Sequence, residues 1–484
     1  MLLGMLGDLI NHILDIIGEL FSKEEVWVLL ILVVIGGGVL LVFLPSISWA
    51  QIWHWILVIL AWTWWLWVFL ILRPIFTSIW LFWRQELFKN SIKFVLLELR
   101  IPREVNKSPQ AMEQVLKSMH SLRNVAGDIR EKWWDGEVTR WFGLEMVSFG
   151  GEIHLYARVY AKQRNLVEAA FFSFYPDVEI AEVEDYAKAF PATTRELYER
   201  NLELWGTEMI LKREDAYPIK MYPDFEHEAE EKQFDPISTF LEVLAKIKKE
   251  EIVGIQMLIA PLGPEWREEW TGFVKKLQEP ALMTLRAAAK IEDEEGAGMT
   301  TAMRQVPIMR TPGQTEILEA VEQNLSKPAF ATLLRFIYLS PKDMFYDSFA
   351  RRGLVGSFRQ YAALNLNDFI QNYPMSTRTR IWNWPHIFPK WRNDYRKQRL
   401  LYNYRKREVP PETWWGRLVT SKFLNWNFSS KRFAMNVEGV ATLFHPPTAV
   451  VLTAPHIRRV ESRKAGPPAG LAIFGGEEEV DKFK

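Results

Sequence analysis

From Val26 to Leu72 the chain carries no Asp, Glu, Lys or Arg. About 20 apolar residues cross a bilayer core, so this stretch is long enough for two crossings. The neutral link Pro45–Gln51 divides it. The expected spans are Val26–Leu44 and Ile52–Leu72, a two-helix transmembrane hairpin that occupies residues 26–83 with its flank. Gly36, Gly37 and Gly38 lie in the first span, where small residues let helices approach closely. Ten of the 22 tryptophans fall between Trp27 and Trp83. Trp49, Trp53 and Trp55 cluster at the link, and Trp80, Trp83 and Arg84 at the far end, as membrane-interface anchors do. Arg73-Pro74 marks the expected exit from the hydrocarbon, with Ile75–Trp83 lying along the interface.

The link has no basic residue, whereas Lys23 precedes the first span and Arg73, Arg84, Lys89 and Lys93 follow the second. Basic flanks stay in the cytoplasm. The chain is therefore expected in the inner (cytoplasmic) membrane with two spans, both termini and the soluble body being cytoplasmic. Residues 1–22 set Leu6, Leu9, Ile13 and Ile17 opposite Asp8, His12, Asp15 and Glu19. That spacing predicts an amphipathic helix, interfacial or oligomer-forming, with packing on the soluble body as the alternative.

Lys plus Arg equals Asp plus Glu, at 59 each, so overall charge predicts no partner. The absence of cysteine excludes disulfides, thiolate zinc sites and cysteine nucleophiles.

The soluble body reads as α+β. In 90–190, strand Ile92–Ile101 precedes helix Pro109–Leu122, with Ser108 as N-cap and Pro109 at the first helical position. Trp141–Phe149, Gly150-Gly151 and Ile153–Ala161 make a hairpin signal. Helix Arg164–Tyr175 and strand Val178–Val183 follow. The sum is the β-α-β-β-α-β order of a ferredoxin-like unit. A second α+β domain is expected over 200–373. Its strands are Met209–Met221, Ile252–Ala260 and Ala329–Leu339, and its helices Pro236–Lys248, Glu265–Leu277, Thr315–Leu325 and Pro341–Asn365. An insertion at 279–312 interrupts it. Residues 374–444 form a basic-aromatic, helical segment ending in the short helix Val437–Phe444. A proline-rich tail, 445–484, closes the chain.

Phosphate-cradling P-loops, Gly-x-Ser-x-Gly elbows and His-Glu-x-x-His motifs are all missing. His445 and His456 lack a third ligand nearby. The acid groups Asp135/Glu137 and Asp224/Glu226/Glu228 read as solvated faces. No catalytic residue, cofactor or metal is expected. The best chemical signal is Arg378, Arg380, Lys390, Arg392, Arg396, Lys397, Arg399, Arg405, Lys406 and Arg407, interleaved with Trp382, Trp384, Trp391, Tyr395, Tyr402 and Tyr404. Such a stretch suits phosphates and stacked bases of a single strand, or anionic lipid headgroups. It equally suits internal pairing with acids elsewhere in the fold.

Three segments carry a resemblance: Glu98–Glu104 with Lys107–Gln114, Tyr175–Tyr186, and Ala441–Pro447 with Lys464–Pro468. They are similar to the region preceding the ATPase in coupling-protein-like membrane proteins of type IV secretion and conjugative DNA transfer. The resemblance covers roughly residues 90–470, mostly in structural turns and caps. In that family the tail leads into a RecA-like ATPase, whereas this chain ends at Lys484. It implies a non-enzymatic, membrane-anchored component that docks a separate P-loop ATPase and DNA, and it implies a homo-oligomer. A membrane-anchored scaffold or envelope protein unrelated to DNA is the alternative.

Overall fold

The computed structural model describes residues 49–102, 107–225, 235–277, 311–346, 348–377, 387–421, 429–448 and 459–460. The expected helix at 1–22, the first span, Arg378, Arg380, Glu226, Glu228, His456, most of the 279–312 insertion and nearly all of the tail beyond Thr448 lie outside these. Two compact units are present, one up to Phe76 and one from Thr77 onward.

The described part of the first unit is helical. Helix α1, Trp49–Ser91, begins there and runs on into the second unit. Among the described residues it is the one helix long and apolar enough to cross a membrane, by length and composition. The helix runs unbroken through Arg73-Pro74, the expected exit from the hydrocarbon. Proline removes one donor and crowds the preceding turn, yet the helix continues for four more turns, because those turns pack on the body.

In the second unit β1 (Phe94–Pro102), α2 (Pro109–His120), β2 (Phe142–Phe149), β3 (Glu152–Tyr160), α3 (Arg164–Phe174) and β4 (Glu179–Val183) follow in the expected order. Ser108 accepts a hydrogen bond from the Gln110 N–H and caps α2, with Pro109 at its start. Gly150 and Gly151 both have positive φ, which lets the two-residue turn close the β2–β3 hairpin. β4, β1, β3 and β2 are neighbours in that order, each antiparallel to the next.

β5 (Leu202–Leu211), α4 (Ser238–Ala245), β6 (Ile252–Pro261), α5 (Pro312–Ser326), β7 (Ala329–Pro341) and β8 (Phe369–Gln371) make the second half. Its order is β8-β5-β7-β6, again antiparallel throughout. Numbered within its own half, each set runs 4-1-3-2. β2 and β6 pair edge to edge, so both halves join in one sheet. Two expectations shift here. The strand placed at Met209–Met221 is β5, which starts at Leu202 and stops at Leu211. The long helix expected over Pro341–Asn365 is a shorter helical run, 348–361, in which π-helical Phe349–Leu354, the α turn Val355–Ser357 and the 3-10 turn Phe358–Tyr361 follow one another.

After β8 come α6 (Pro389–Lys406), α7 (Trp414–Ser421), β9 (Phe433–Asn436), α8 (Val437–Leu443) and β10 (Arg459–Val460). β9 extends the sheet along the start of β7, and β10 adds in parallel at the end of β1. One sheet face is apolar. Leu97, Leu144, Met146, Ile255, Met257, Leu334 and Phe336 bury there against α2, α3, α4 and α8. Alternation along each strand sends its other residues to the opposite face, which α6 covers.

Asp215 secures β9, accepting the Ala434 N–H at 2.7 Å. Burial pushes its carboxyl up to about 6, against the pull of that N–H and with a contribution from Glu269. A folded value above the unfolded one means stability that is complete below the unfolded carboxyl range and lost as pH rises through 6. Asp215→Asn is therefore expected to gain on the order of 1–2 kcal/mol over the native chain between acid and neutral pH. Denaturant midpoints at both pH values read this, and parallel curves for the two proteins contradict it.

Candidate functional site

The face beneath α6 carries a row of polar side chains running across both halves. Cross-strand register sets Glu98 beside Tyr156, Tyr156 beside Glu145, Glu145 beside Gln256, Gln256 beside Arg335, and Arg335 beside Glu208. All six are buried. Unpaired charges are costly in such surroundings, so the row dictates what lies above it.

Arg407, at the C-terminal end of α6, supplies one answer. Its Nε and Nη2 donate to the two oxygens of Glu145 at 2.9 and 3.0 Å, and its Nη1 donates to Asp185 Oδ2 at 2.6 Å. The Tyr186 hydroxyl donates to Glu145 and lies 2.9 Å from the Tyr404 hydroxyl. Burial disfavours the guanidinium charge, but Glu145, Tyr186 and Asp185 together hold the Arg407 pKa well above its ordinary value. Arg407 sits at φ 52°, in the left-handed region that costs a non-glycine residue about 1 kcal/mol or more. That turn ends the helix and aims the guanidinium down into the sheet.

Arg335 supplies the other. Its Nε and Nη2 donate to Glu208 Oε1 at 3.1 and 3.0 Å, and Ser430 donates to the same oxygen. Its Nη1 and Nη2 reach the carbonyls of Asn403 and Glu408, so the sheet holds the end of α6 through its backbone. Burial raises the Glu208 pKa, with Arg335 and Ser430 working the other way. Gln256 donates to the Tyr404 carbonyl at 2.9 Å.

The basic stretch is thus divided between interior and surface. Arg392, Arg396, Lys397 and Arg407 are buried. Arg396 Nη1 donates to the Ser376 carbonyl, and burial, with Arg392 beside it, pushes its pKa down to about 10. Lys397 pairs with Glu203. Arg405 is half-buried and donates to the Ala187 carbonyl. Lys390 and Lys406 are exposed, and Arg399 is half-exposed with its guanidinium over Tyr402. A buried side chain offers nothing to a phosphate, so four of the ten expected contact residues lie inside the fold. Two of the four meet acids of the fold, Arg407 with Glu145 and Asp185 and Lys397 with Glu203.

Of the expected interface anchors, Trp53 and Trp55 are exposed on α1. Trp80 instead donates its indole N–H to the Trp133 carbonyl at 2.7 Å, and Arg84 lies over the rings of Trp83 and Trp134. Lys89 pairs with Glu408 at 2.8 Å, and Gln85 donates to Glu412. Gly136, at φ 70°, lets the chain pass the Arg84 backbone: an added Cβ stands 2.4 Å from its carbonyl carbon and oxygen. Gly136→Ala is expected to loosen residues 77–91 from the body, read as faster proteolysis there; an unchanged digest contradicts it.

The remaining sequence candidates are structural. His445 is buried, with Nε2 2.9 Å from Asp235 Oδ1 and Nδ1 2.8 Å from the Ala441 carbonyl. Asp235 also accepts from the N–H and hydroxyl of Thr448. Glu137 pairs with Arg140, and Asp224 accepts the Met221 N–H. Among the described residues no three of His, Cys, Asp or Glu stand together to hold a metal ion. Glu145, Asp185, Glu208 and Arg335 were not singled out by sequence. For Glu145 and Arg335 the signal is a lone charge inside an apolar strand, Phe142–Phe149 and Ala329–Pro341; Asp185 lies past the end of β4 and Glu208 shares β5 with Glu203.

Residues 85–457 match the family model described as a domain of unknown function, DUF8128. No curated protein matches the chain.

Proposed function

The chain belongs to the DUF8128 family, and from the geometry of this member we propose that it is a non-enzymatic, membrane-anchored docking body. The apparatus it would serve is a type IV secretion or conjugative DNA-transfer machine of the inner membrane, with a separate P-loop ATPase as partner. Each half of the sheet is then a ferredoxin-like split unit, a reading supported by the strand orders β4-β1-β3-β2 and β8-β5-β7-β6. Such units serve many functions, so the fold supplies a platform and not an activity.

The observation that carries the proposal is helix α1. No residue of its apolar window is buried, yet its last turns are tied into the body through Trp80, Gln85 and Lys89. A helix built that way fits a body held at a bilayer. The buried charges of the body are largely engaged with one another, which fits a stiff platform. The inner membrane, cytoplasmic orientation, two spans and homo-oligomeric assembly belong to the same proposal. Purification of the full chain from native membranes is expected to bring with it a P-loop ATPase identifiable by mass spectrometry. Recovery without one, and without DNA, overturns the secretion reading.

Burial of Arg392, Arg396, Lys397 and Arg407 favours the second reading, a membrane scaffold unrelated to DNA, over a direct DNA contact. With Lys390, Arg405 and Lys406 as the described basic residues of α6 still open to solvent and not facing an aromatic ring, single-strand binding by the full chain is expected to be shallow in salt. The slope of log K against log salt is expected to be no steeper than about −2, for about three phosphates. A much steeper slope restores the DNA contact.

A further inference from the structure

Helix α7 is built inside out for a helix in water. Gly416 and Ser421 are buried, while Leu418 and Val419 are each 48% exposed, with Arg417 exposed beside them. A helix on a soluble protein turns its apolar stripe to the core. Here the small residues face inward because α1 approaches closely: an added Cβ on Gly416 stands 2.6 Å from the Phe82 ring, and the Trp415 N–H donates to Ser78 Oγ. On α6, exposed Trp391 stacks on Tyr395. α6 is tied in by the Tyr395 hydroxyl, which donates to the Thr420 carbonyl at 2.9 Å.

Between α6 and α7 lies an open cleft whose lining includes Arg399, Glu408, Arg417, Thr420, Ser429 and Ser430. The Glu408 carboxylate is taken by Lys89. Arg399 and Arg417 make no ion pair with a carboxylate among the described residues. An apolar shelf bordered by cations without acid partners is the composition of an interfacial helix. Its cations suit anionic headgroups.

We infer that α7, with the end of α1 and the Arg399–Arg417 cleft, lies in the headgroup layer of an anionic bilayer, as a second membrane contact besides the apolar helix. The inference rests on the reading of α1 as a membrane helix, and the continuity of α1 through residues 77–91 brings that surface to α7.

The chain has no cysteine, so single labels are clean. Leu418→Cys, Leu60→Cys and Leu364→Cys variants of the full chain carry an environment-sensitive dye. They are reconstituted in phosphatidylcholine vesicles with or without phosphatidylglycerol, containing nitroxide lipids of shallow or deep position. The dye at 418 is expected to be quenched by the shallow nitroxide, that at 60 by the deep one, and that at 364 by neither. Quenching at 60 with 418 as silent as 364 overturns the inference and leaves the membrane helix standing. Silence at 60 overturns the membrane reading and this inference with it. Arg399→Glu with Arg417→Glu is expected to lower the quenching at 418 in anionic vesicles to its level in neutral ones. Unchanged quenching with intact thermal unfolding overturns the part assigned to the arginines.

Discussion

Arg407→Met is expected to destabilise the body by about 3–5 kcal/mol, the cost of leaving a buried charge without its partner. The substitution removes the guanidinium from both oxygens of Glu145 and from one of Asp185, leaving Glu145 the Tyr186 hydroxyl. Glu145 is fully buried and cannot turn to water. The loss comes mainly from the stranded carboxylate and less from the attraction itself. Glu145→Gln combined with Arg407→Met is therefore expected to cost less than Arg407→Met alone, because the amide carries no charge and still accepts from Tyr186. Urea unfolding of the full chain in detergent, followed by tryptophan fluorescence, supplies the cycle. A double variant whose loss equals the sum of the singles would show that the pair is not coupled.

Gly206→Ala and Gly254→Ala are each expected to cost about 1–3 kcal/mol and to lift α6 from the sheet. Gly254 pairs with Ile337, which pairs with Gly206, so the two glycines share the α6 face. An added Cβ at Gly254 stands 1.8 Å from the Tyr404 hydroxyl oxygen. Tyr404 is fully buried and has no room to swing away. At Gly206 the added atom stands 2.2 Å from Leu400 Cδ2 and 2.7 Å from the Phe336 carbonyl oxygen. Hydrogen exchange distinguishes this from general unfolding. Amides of 389–406 are expected to exchange faster while those of β6 and β7 keep their protection. Uniform loss of protection contradicts the docking role of the glycines.

Much of the first half of the body was legible. Ser108-Pro109 fixes the start of α2, and Gly150-Gly151 fixes the hairpin, because capping and left-handed turns are local chemistry. The second half was less so. The apolar residues of 202–208 surround Glu203 and Glu208, which hid the start of β5 from a reading that expects strands to alternate or to be apolar. The helix after Pro341 is shorter than its apolar spacing suggested and passes through π and 3-10 turns, where Gly353 and Gly356 weaken a regular helix. The basic stretch was visible as charge, and its fate was not. Nothing local in Arg407 says that Glu145 waits on a strand hundreds of residues away.

The sequence by itself determined an uncharged stretch long enough for a membrane helix, the β-α-β-β-α-β order of residues 92–186 and a cysteine-free chain. Each of these depends on the residues within a few turns. Tertiary structure alone decided that two halves share one sheet through β2 and β6, that α1 continues past Pro74, and that Arg392, Arg396, Lys397 and Arg407 turn inward. Those outcomes depend on which distant strands come together, since a buried carboxylate draws a cation from whatever segment the fold brings above it.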